Sequence, residues 1–221
     1  MIAQNLEAVR ERIVAACAGC GRDPREVTLV AVSKVKPAAD IVEAYEAGQR
    51  DFGENYIQEF QDKSRALPDL PGARFHFIGH LQSNKTRIAA ELFHAVHTVD
   101  SEKLARRLND QTERPLDVFL EVKLSPEDSK NGADPADVPA LAQFVGSCEN
   151  LRLRGLMTMP PWSEDPEVAR PYFRRLRALR DELGLPDLSM GMSHDLETAI
   201  QEGSTLVRIG TAIFGKRIRP Q

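Results

Sequence analysis

The chain has 221 residues, with 29 Lys plus Arg against 33 Asp plus Glu and a formal charge of −4. That length suits one well-filled domain. The charge offers no basic excess for nucleic acid or for an anionic membrane surface, and no apolar run approaches the roughly 20 residues that span a bilayer. Three cysteines, Cys17, Cys20 and Cys148, are too sparse for a disulfide framework. Cys17 and Cys20 form a CxxC, but no second ligand pair follows to complete a zinc site. A cytoplasmic protein without metal is expected.

Residues 2–20 carry charges through their middle and read as an amphipathic helix rather than a signal peptide. Short apolar runs then alternate with helical patterns. Val27–Ser33 (VTLVAVS) has the Val-rich character of a strand buried on both faces. Further strands are expected at 51–54, 74–78, 95–99, 117–122, 153–157, 188–190 and 206–209. Helical stretches include 38–47, 101–109, 136–147, 167–183 and 195–202. Strand and helix alternating eight times predict a parallel sheet with crossover helices, and eight units suggest closure into a single (β/α)8 barrel with an extra N-terminal helix. An open doubly wound sheet is the alternative. It normally shows a glycine fingerprint after the first strand, where this chain has SKVKP.

In such a barrel the site lies at the C-terminal strand ends. If Val30 and Val32 face inward, Lys34 does too, because strand side chains alternate. Burial disfavours the ammonium, and a neutral amine can attack an aldehyde to give a Schiff base. A lysine that snorkels to water is the plainer reading. Lys36 shares the parity of Lys34 and is expected nearer the mouth. Gly191-Met192-Ser193 and Gly210-Thr211 occupy the loops after strands seven and eight, where barrels often bind phosphate. Ser193 could cap the next helix or donate to an anion. Arg208, between Val207 and Ile209, calls for a partner. Asn55 could bond a cofactor oxygen or end its strand, and Met157 is expected in an apolar wall with Met159, Pro160 and Pro161. His76 and His80 flank the third strand end, where structural roles are commoner than catalytic ones. The arginines at 174, 175, 177 and 180 read as a solvated helix face.

Several blocks with matching spacing carry a resemblance. They are Leu29 to Lys34 with Pro37, Phe52-Gly53-Glu54-Asn55-Tyr56 with Gln58-Glu59, His76-Phe77-Ile78-Gly79 with Leu81 to Lys85, Arg154-Gly155-Leu156-Met157, Gly191-Met192-Ser193, and Val207 to Gly215. In these the chain closely resembles the YggS/PROSC family of pyridoxal 5′-phosphate (PLP) homeostasis proteins. The resemblance implies a fold-type III barrel like the N-terminal domain of alanine racemase, with PLP as cofactor and a Schiff base on Lys34. It implies phosphate binding by Ser193, Gly210 and Thr211, and Arg208 facing the pyridine nitrogen. Asn55 and Met157 complete the expected cofactor contacts. His80 and His194 depart from the expected pattern at the rim.

Three functions compete: a PLP carrier, a PLP-dependent amino-acid racemase of weak activity, and a cofactor-free Schiff-base aldolase. Fold-type III racemases carry a second, β-rich domain with a tyrosine base, and this chain ends six residues after Gly215. A non-enzymatic, monomeric carrier is therefore expected, with residues 1–221 as one PLP-binding domain. Its partners would be PLP and apo PLP-dependent enzymes, with neither nucleic acid nor membrane. Lys36, Lys85 and Lys130 are candidate secondary amines for exchange.

Overall fold

Eight parallel strands follow one another around a closed barrel, each hydrogen-bonded to the next in sequence and the eighth to the first. The structure, a computed structural model, describes residues 1–125 and 131–215. The strands are β1 (Thr28–Val32), β2 (Asp51–Glu54), β3 (Arg74–Phe77), β4 (Ala95–Val99), β5 (Leu116–Glu121), β6 (Leu151–Met157), β7 (Asp187–Ser189) and β8 (Leu206–Ile209). The expected strands agree within two residues at each end. The helices are α1 (Ile2–Cys20), α2 (Ala38–Glu46), α3 (Ile57–Ala66), α4 (Thr86–Leu92), α5 (Glu102–Gln111), α6 (Val138–Gly146), α7 (Arg170–Glu182), α8 (Leu196–Gln201) and α9 (Thr211–Phe214). The stretch expected as one helix from 167 divides: residues 166–169 form a 3-10 turn, and α7 starts at Arg170 with Pro171 in its first turn, where a missing N–H costs nothing.

Closure runs through β1 and β8, with Thr28, Leu29, Val30 and Ala31 opposite Leu206, Val207, Arg208 and Ile209. Helix α1 covers this seam. Its buried Ile2, Leu6, Val9, Ile13, Ala16 and Cys17 recur at helical spacing and join the outward Leu29, Ala31, Phe52, Val207 and Ile209 in one apolar cluster. Gly21 ends the helix at φ 70°, and the N–H of Arg22 reaches back to Cys17 O at 3.0 Å, a glycine cap that needs no Cβ. A second cluster fills the layer between β3–β7 and α3–α7. No helix among the described residues is long and apolar enough to cross a membrane.

The inside of the barrel differs from its outer layer. Only Val30, Phe119, Met157 and Leu206 form an apolar cluster there. The neighbouring inward positions carry the buried His76, His97, Ser189 and Arg208. Close packing leaves little room between β6 and β7. A Cβ on Gly155 would run into the backbone carbonyl of Asp187. Gly155→Ala is expected to cost about 3 kcal/mol, lowering Tm by about 6–12 °C. Gly146→Ala, at an open helical position, should instead be neutral or raise stability by up to about 1 kcal/mol. Thermal unfolding of the two variants checks both.

Candidate functional site

Lys34 lies, half-buried, in the turn that ends β1. Val30 and Val32 line the interior beside Gly53, whose hypothetical Cβ would meet both, and Lys34 follows two residues beyond the end of β1. The next residue, Val35, has φ 54°, a left-handed conformation that costs a β-branched side chain of order 1–3 kcal/mol. A buried polar knot holds it. Glu59 of α3 accepts the Val35 N–H at 2.6 Å. Lys63, also of α3, donates to Ser33 O at 2.9 Å, to Glu54 Oε1 at 2.7 Å and to Glu59 Oε1 at 2.8 Å. Ser33 Oγ donates to Glu54 Oε1 at 2.8 Å. Burial pushes the Glu54 carboxyl up, and the Lys63 ammonium draws it back. An ammonium buried with three acceptors and two carboxylates is fully compensated, and the turn carrying Lys34 is thereby rigid. Lys36 departs from the expectation of shared parity. The chain leaves the strand at Val35, and the Lys36 ammonium donates to Phe214 O at 2.6 Å, tying the turn to the end of α9.

Arg208 has the partners its sequence context demanded. Its guanidinium is buried and donates from Nη1 to Ser189 Oγ at 2.6 Å and from Nη2 to Thr158 O at 3.0 Å. Burial lowers its pKa to about 10, against the pull of Asp195 and Glu121. Around it stand residues that sequence reasoning had not linked to it: Ser189, His97 and Glu121. Glu121 ends β5 with the inward parity of Phe119. Its carboxyl is pushed to about 7, first by burial and then by Asp100, with Arg208 opposing, and its Oε2 has no hydrogen-bond partner. An acidic residue closing an apolar strand was the available signal.

The two glycine loops meet at the same mouth. Gly191 has φ 94°, and a Cβ there would collide with Ala199. A Cβ on Gly210 would press on Val32 O at 3.3 Å. Close approach and a left-handed φ require glycine at 191, whereas at 210 a side chain would need Val32 to give way slightly. Gly210 precedes α9, whose first N–H groups have no partner within the helix, and Thr211 opens that helix. Ser193 lies in the turn before α8 and is not its cap. Asp195 holds the N-cap position, and its carboxylate accepts the Met192 N–H at 2.6 Å, because the loop needs two more residues to reach the helix axis. The Ser193 carbonyl accepts from Arg12 of α1 at 3.0 Å.

Asn55 follows β2 with a buried Oδ1 that has no hydrogen-bond partner. It lines a cavity of about 230 Å³ with Tyr56, Gln58, His80 and Lys85, which brings one of the three candidate secondary amines close to the mouth. Lys130 lies outside the described residues. Met157 is fully buried in the interior cluster, whereas Met159 is exposed. His80 is exposed, and the His194 ring lies 6.2 Å from the exposed Trp162, so both departures are at the rim. A larger cavity of about 450 Å³ opens at the opposite, N-terminal mouth among Asp51, Arg74, Asp117, Arg152, Arg154 and Asp187, away from every loop named above.

A half-buried lysine after β1, a buried arginine on β8 and glycine loops after β7 and β8 fit a barrel of the alanine racemase N-terminal domain type, and that family matches residues 4–218. The pyridoxal phosphate homeostasis protein of Pseudomonas aeruginosa is 53% identical over 98% of this chain and 96% of its own. That of Escherichia coli K12 is 51% identical over 98% and 97%. Among solved structures, PipY of Synechococcus elongatus, known without and with PLP bound, is 40% identical with a TM-score of 0.86, over 97% of this chain and all of its own. Alanine racemase of Corynebacterium glutamicum, at 18% identity and a TM-score of 0.72, shares the fold across 59% of its length. The chain belongs to the pyridoxal phosphate homeostasis (YggS/PROSC) family.

Glu121 makes stability pH-dependent. Its folded pKa of about 7 lies above the ordinary 4.5, so the folded protein keeps a proton that the unfolded chain releases. The contribution is present below pH 4.5 and is lost as pH rises to 7. Glu121→Gln should match the wild type near pH 4 and exceed it by about 3 kcal/mol at pH 8, from about 1.4 kcal/mol per unit. Urea midpoints at the two pH values check this.

Proposed function

We propose that the chain binds PLP through a Schiff base on Lys34 and buffers or delivers it as a carrier, without turnover of its own. The observation that carries this reading is the convergence on one barrel mouth of Lys34, Arg208 and the Gly191 and Gly210 loops. The residues fit the group. Asn55 Oδ1 and Glu121 Oε2 are buried polar atoms without partners, Arg208 is a buried cation, and the loops at Gly191 and Gly210 pack closely on Ala199 and Val32. The relatives named for PLP homeostasis, and PipY with PLP bound, support the same cofactor.

When bound, PLP supplies an aldehyde that condenses reversibly with an amine. Lys34, on a turn made rigid by Lys63 and Glu59, would hold that aldehyde. Ser193, Gly210 and Thr211 would receive the phosphate through backbone N–H and hydroxyl donors. Arg208, a permanent donor, would face the ring nitrogen and keep it unprotonated, since two adjacent cations repel. Met157 would close the apolar side of the ring and Asn55 its polar edge. An unprotonated ring is a poor electron sink, which suits storage better than catalysis. Residues 1–221 would act as one such domain, monomeric in solution and cytoplasmic, handing PLP to apo-enzymes with Lys36, Lys85 and Lys130 as intermediate acceptors.

Purified protein given PLP should develop a visible band that borohydride abolishes, leaving a pyridoxyl group on the peptide containing Lys34. Lys34→Ala should show neither. A band that survives in Lys34→Ala, or a label on another lysine, would sink the assignment. Replacing Lys36, Lys85 and Lys130 together should slow transfer to an apo-enzyme, and an unchanged rate would remove the relay.

A further inference from the structure

The interior of the barrel holds an unbroken row of polar side chains from Arg208 to the opposite mouth. Arg208 Nη1 is 2.6 Å from Ser189 Oγ. Ser189 Oγ is 2.8 Å from His97 Nδ1. His97 Nε2 is 3.0 Å from His76 Nδ1, and His76 Nε2 is 2.8 Å from Asp51 Oδ1. The row uses one inward residue from each of β8, β7, β4, β3 and β2. With both imidazoles neutral, its ends determine its direction. A guanidinium can only donate, and an ionised carboxylate can only accept. Ser189 accepts from Arg208, and His97 Nδ1 is the acceptor within its reach for the hydroxyl proton. Neutral His97 then carries its proton on Nε2 and donates it to His76 Nδ1. His76 in turn carries its proton on Nε2 and donates to Asp51.

We infer that Ser189 and His97 are positioning residues for Arg208, and that they work as the middle of a one-way hydrogen-bond chain running Arg208, Ser189, His97, His76, Asp51. Both imidazoles in this chain are neutral and protonated on Nε2. Two observations support the arrangement. His97 is fully enclosed, its ring packed on Phe119 at 4.3 Å between centroids, so it can neither reorient nor exchange its partners for water. Its pKa is held well below 6.5 by burial, His76 and Arg208, which keeps it neutral. The groups facing Arg208 from the other strands and loops are Glu121, Asp195 and the Thr158 carbonyl. Of these only Thr158 shares a hydrogen bond with it among the described contacts, so Ser189 supplies the second fixed point that orients the guanidinium plane. A buried serine between two histidines and an arginine is a poor choice for packing and a good one for orienting a donor-only group. The row also explains why this barrel carries polar interior residues where aliphatic ones would pack more simply.

The role toward the cofactor rests on the PLP reading, whereas the tautomers do not. Nitrogen-15 NMR of the imidazole rings in wild-type protein without PLP tests the chain directly. Both His76 and His97 should appear as the Nε2–H form at pH 7.5. A charged His97, or either ring protonated on Nδ1, would overturn the one-way chain. In Ser189→Ala, His97 should lose its single tautomer while His76 keeps its bond to Asp51. Asp51→Asn, which retains an acceptor for His76, should preserve both. PLP titration then tests positioning. Ser189→Ala should weaken PLP binding about tenfold or more, as expected for loss of one oriented charged hydrogen bond, and should shift the visible band, whereas Asp51→Asn should do neither. Unchanged affinity and band in Ser189→Ala would overturn the positioning role. Failure of the wild type to take up PLP would overturn the cofactor reading alone, leaving the tautomers to decide the chain.

Discussion

Closure of β1 on β8 is the constraint on which the rest of this structure depends. It sets the strand that ends in Lys34 against the strand that bears Arg208, four residues deep in register. At its upper end the backbones come so close that a Cβ on Gly210 would lie 3.3 Å from Val32 O. The bond from Lys36 to Phe214 then ties the turn after β1 to the short helix after β8. Helix α1 seals the seam from outside with an apolar stripe and reaches the loop after β7 through Arg12, which donates to Ser193 O, so the N-terminal helix belongs to the site's support. Lys34, Arg208 and the Gly210 loop thus come to neighbouring strands because one ladder of backbone hydrogen bonds brings distant ends of the chain together.

Two polar networks inside this frame do different work. The knot of Ser33, Glu54, Glu59 and Lys63 lies between barrel and helix layer and holds Val35 in a conformation that its side chain disfavours. Strain at such a position persists only where neighbours over-determine it, and here the over-determination lies beside the proposed reactive lysine. The row through the barrel interior has the opposite geometry, extended rather than knotted. It joins a buried cation to a carboxylate at the far mouth, and every member satisfies its neighbour. Buried polar groups are tolerable only when the whole set is paired. Complete pairing gives such networks a single arrangement, which an apolar interior of similar volume would not impose.

Three buried side-chain oxygens among the described residues lack a hydrogen-bond partner: Glu54 Oε2, within the knot, and Asn55 Oδ1 and Glu121 Oε2. The last two lie at the C-terminal mouth, where the interior network ends and the proposed cofactor would begin. The cavity at the other end of the barrel has its charges matched internally, with Asp117 held by Arg74 and Arg152 and Asp187 by Arg154. The polar demand of the molecule is therefore asymmetric. It is closed at the N-terminal mouth and open at the C-terminal one, as a barrel with one functional face requires.

Much of this was legible in the sequence. Alternating apolar runs and helical patterns located all eight strands, because a strand buried on both faces must be continuously apolar and its crossover helix must be amphipathic. Parity along VTLVAVSK singled out Lys34 as the candidate amine at the mouth, and an arginine between Val207 and Ile209 announced a buried cation, which Arg208 is. Parity failed at Lys36, because a left-handed turn at Val35 is held by Glu59, some twenty-four residues away, and no local propensity favours it. Of the two roles open to Ser193, the cap falls to Asp195 instead, because the distance from loop to helix axis is a property of the packed barrel. His97 and Ser189 carried no signal as site residues, being ordinary strand residues until closure points them at Arg208, and Glu121 carried only that of an acidic residue closing an apolar strand. The sequence by itself determined which elements form and which face each residue takes, since both follow from local sterics and hydrophobic period. Only the tertiary structure decided which inward side chains touch, because those contacts join strands far apart in the chain and depend on the register in which the barrel closes.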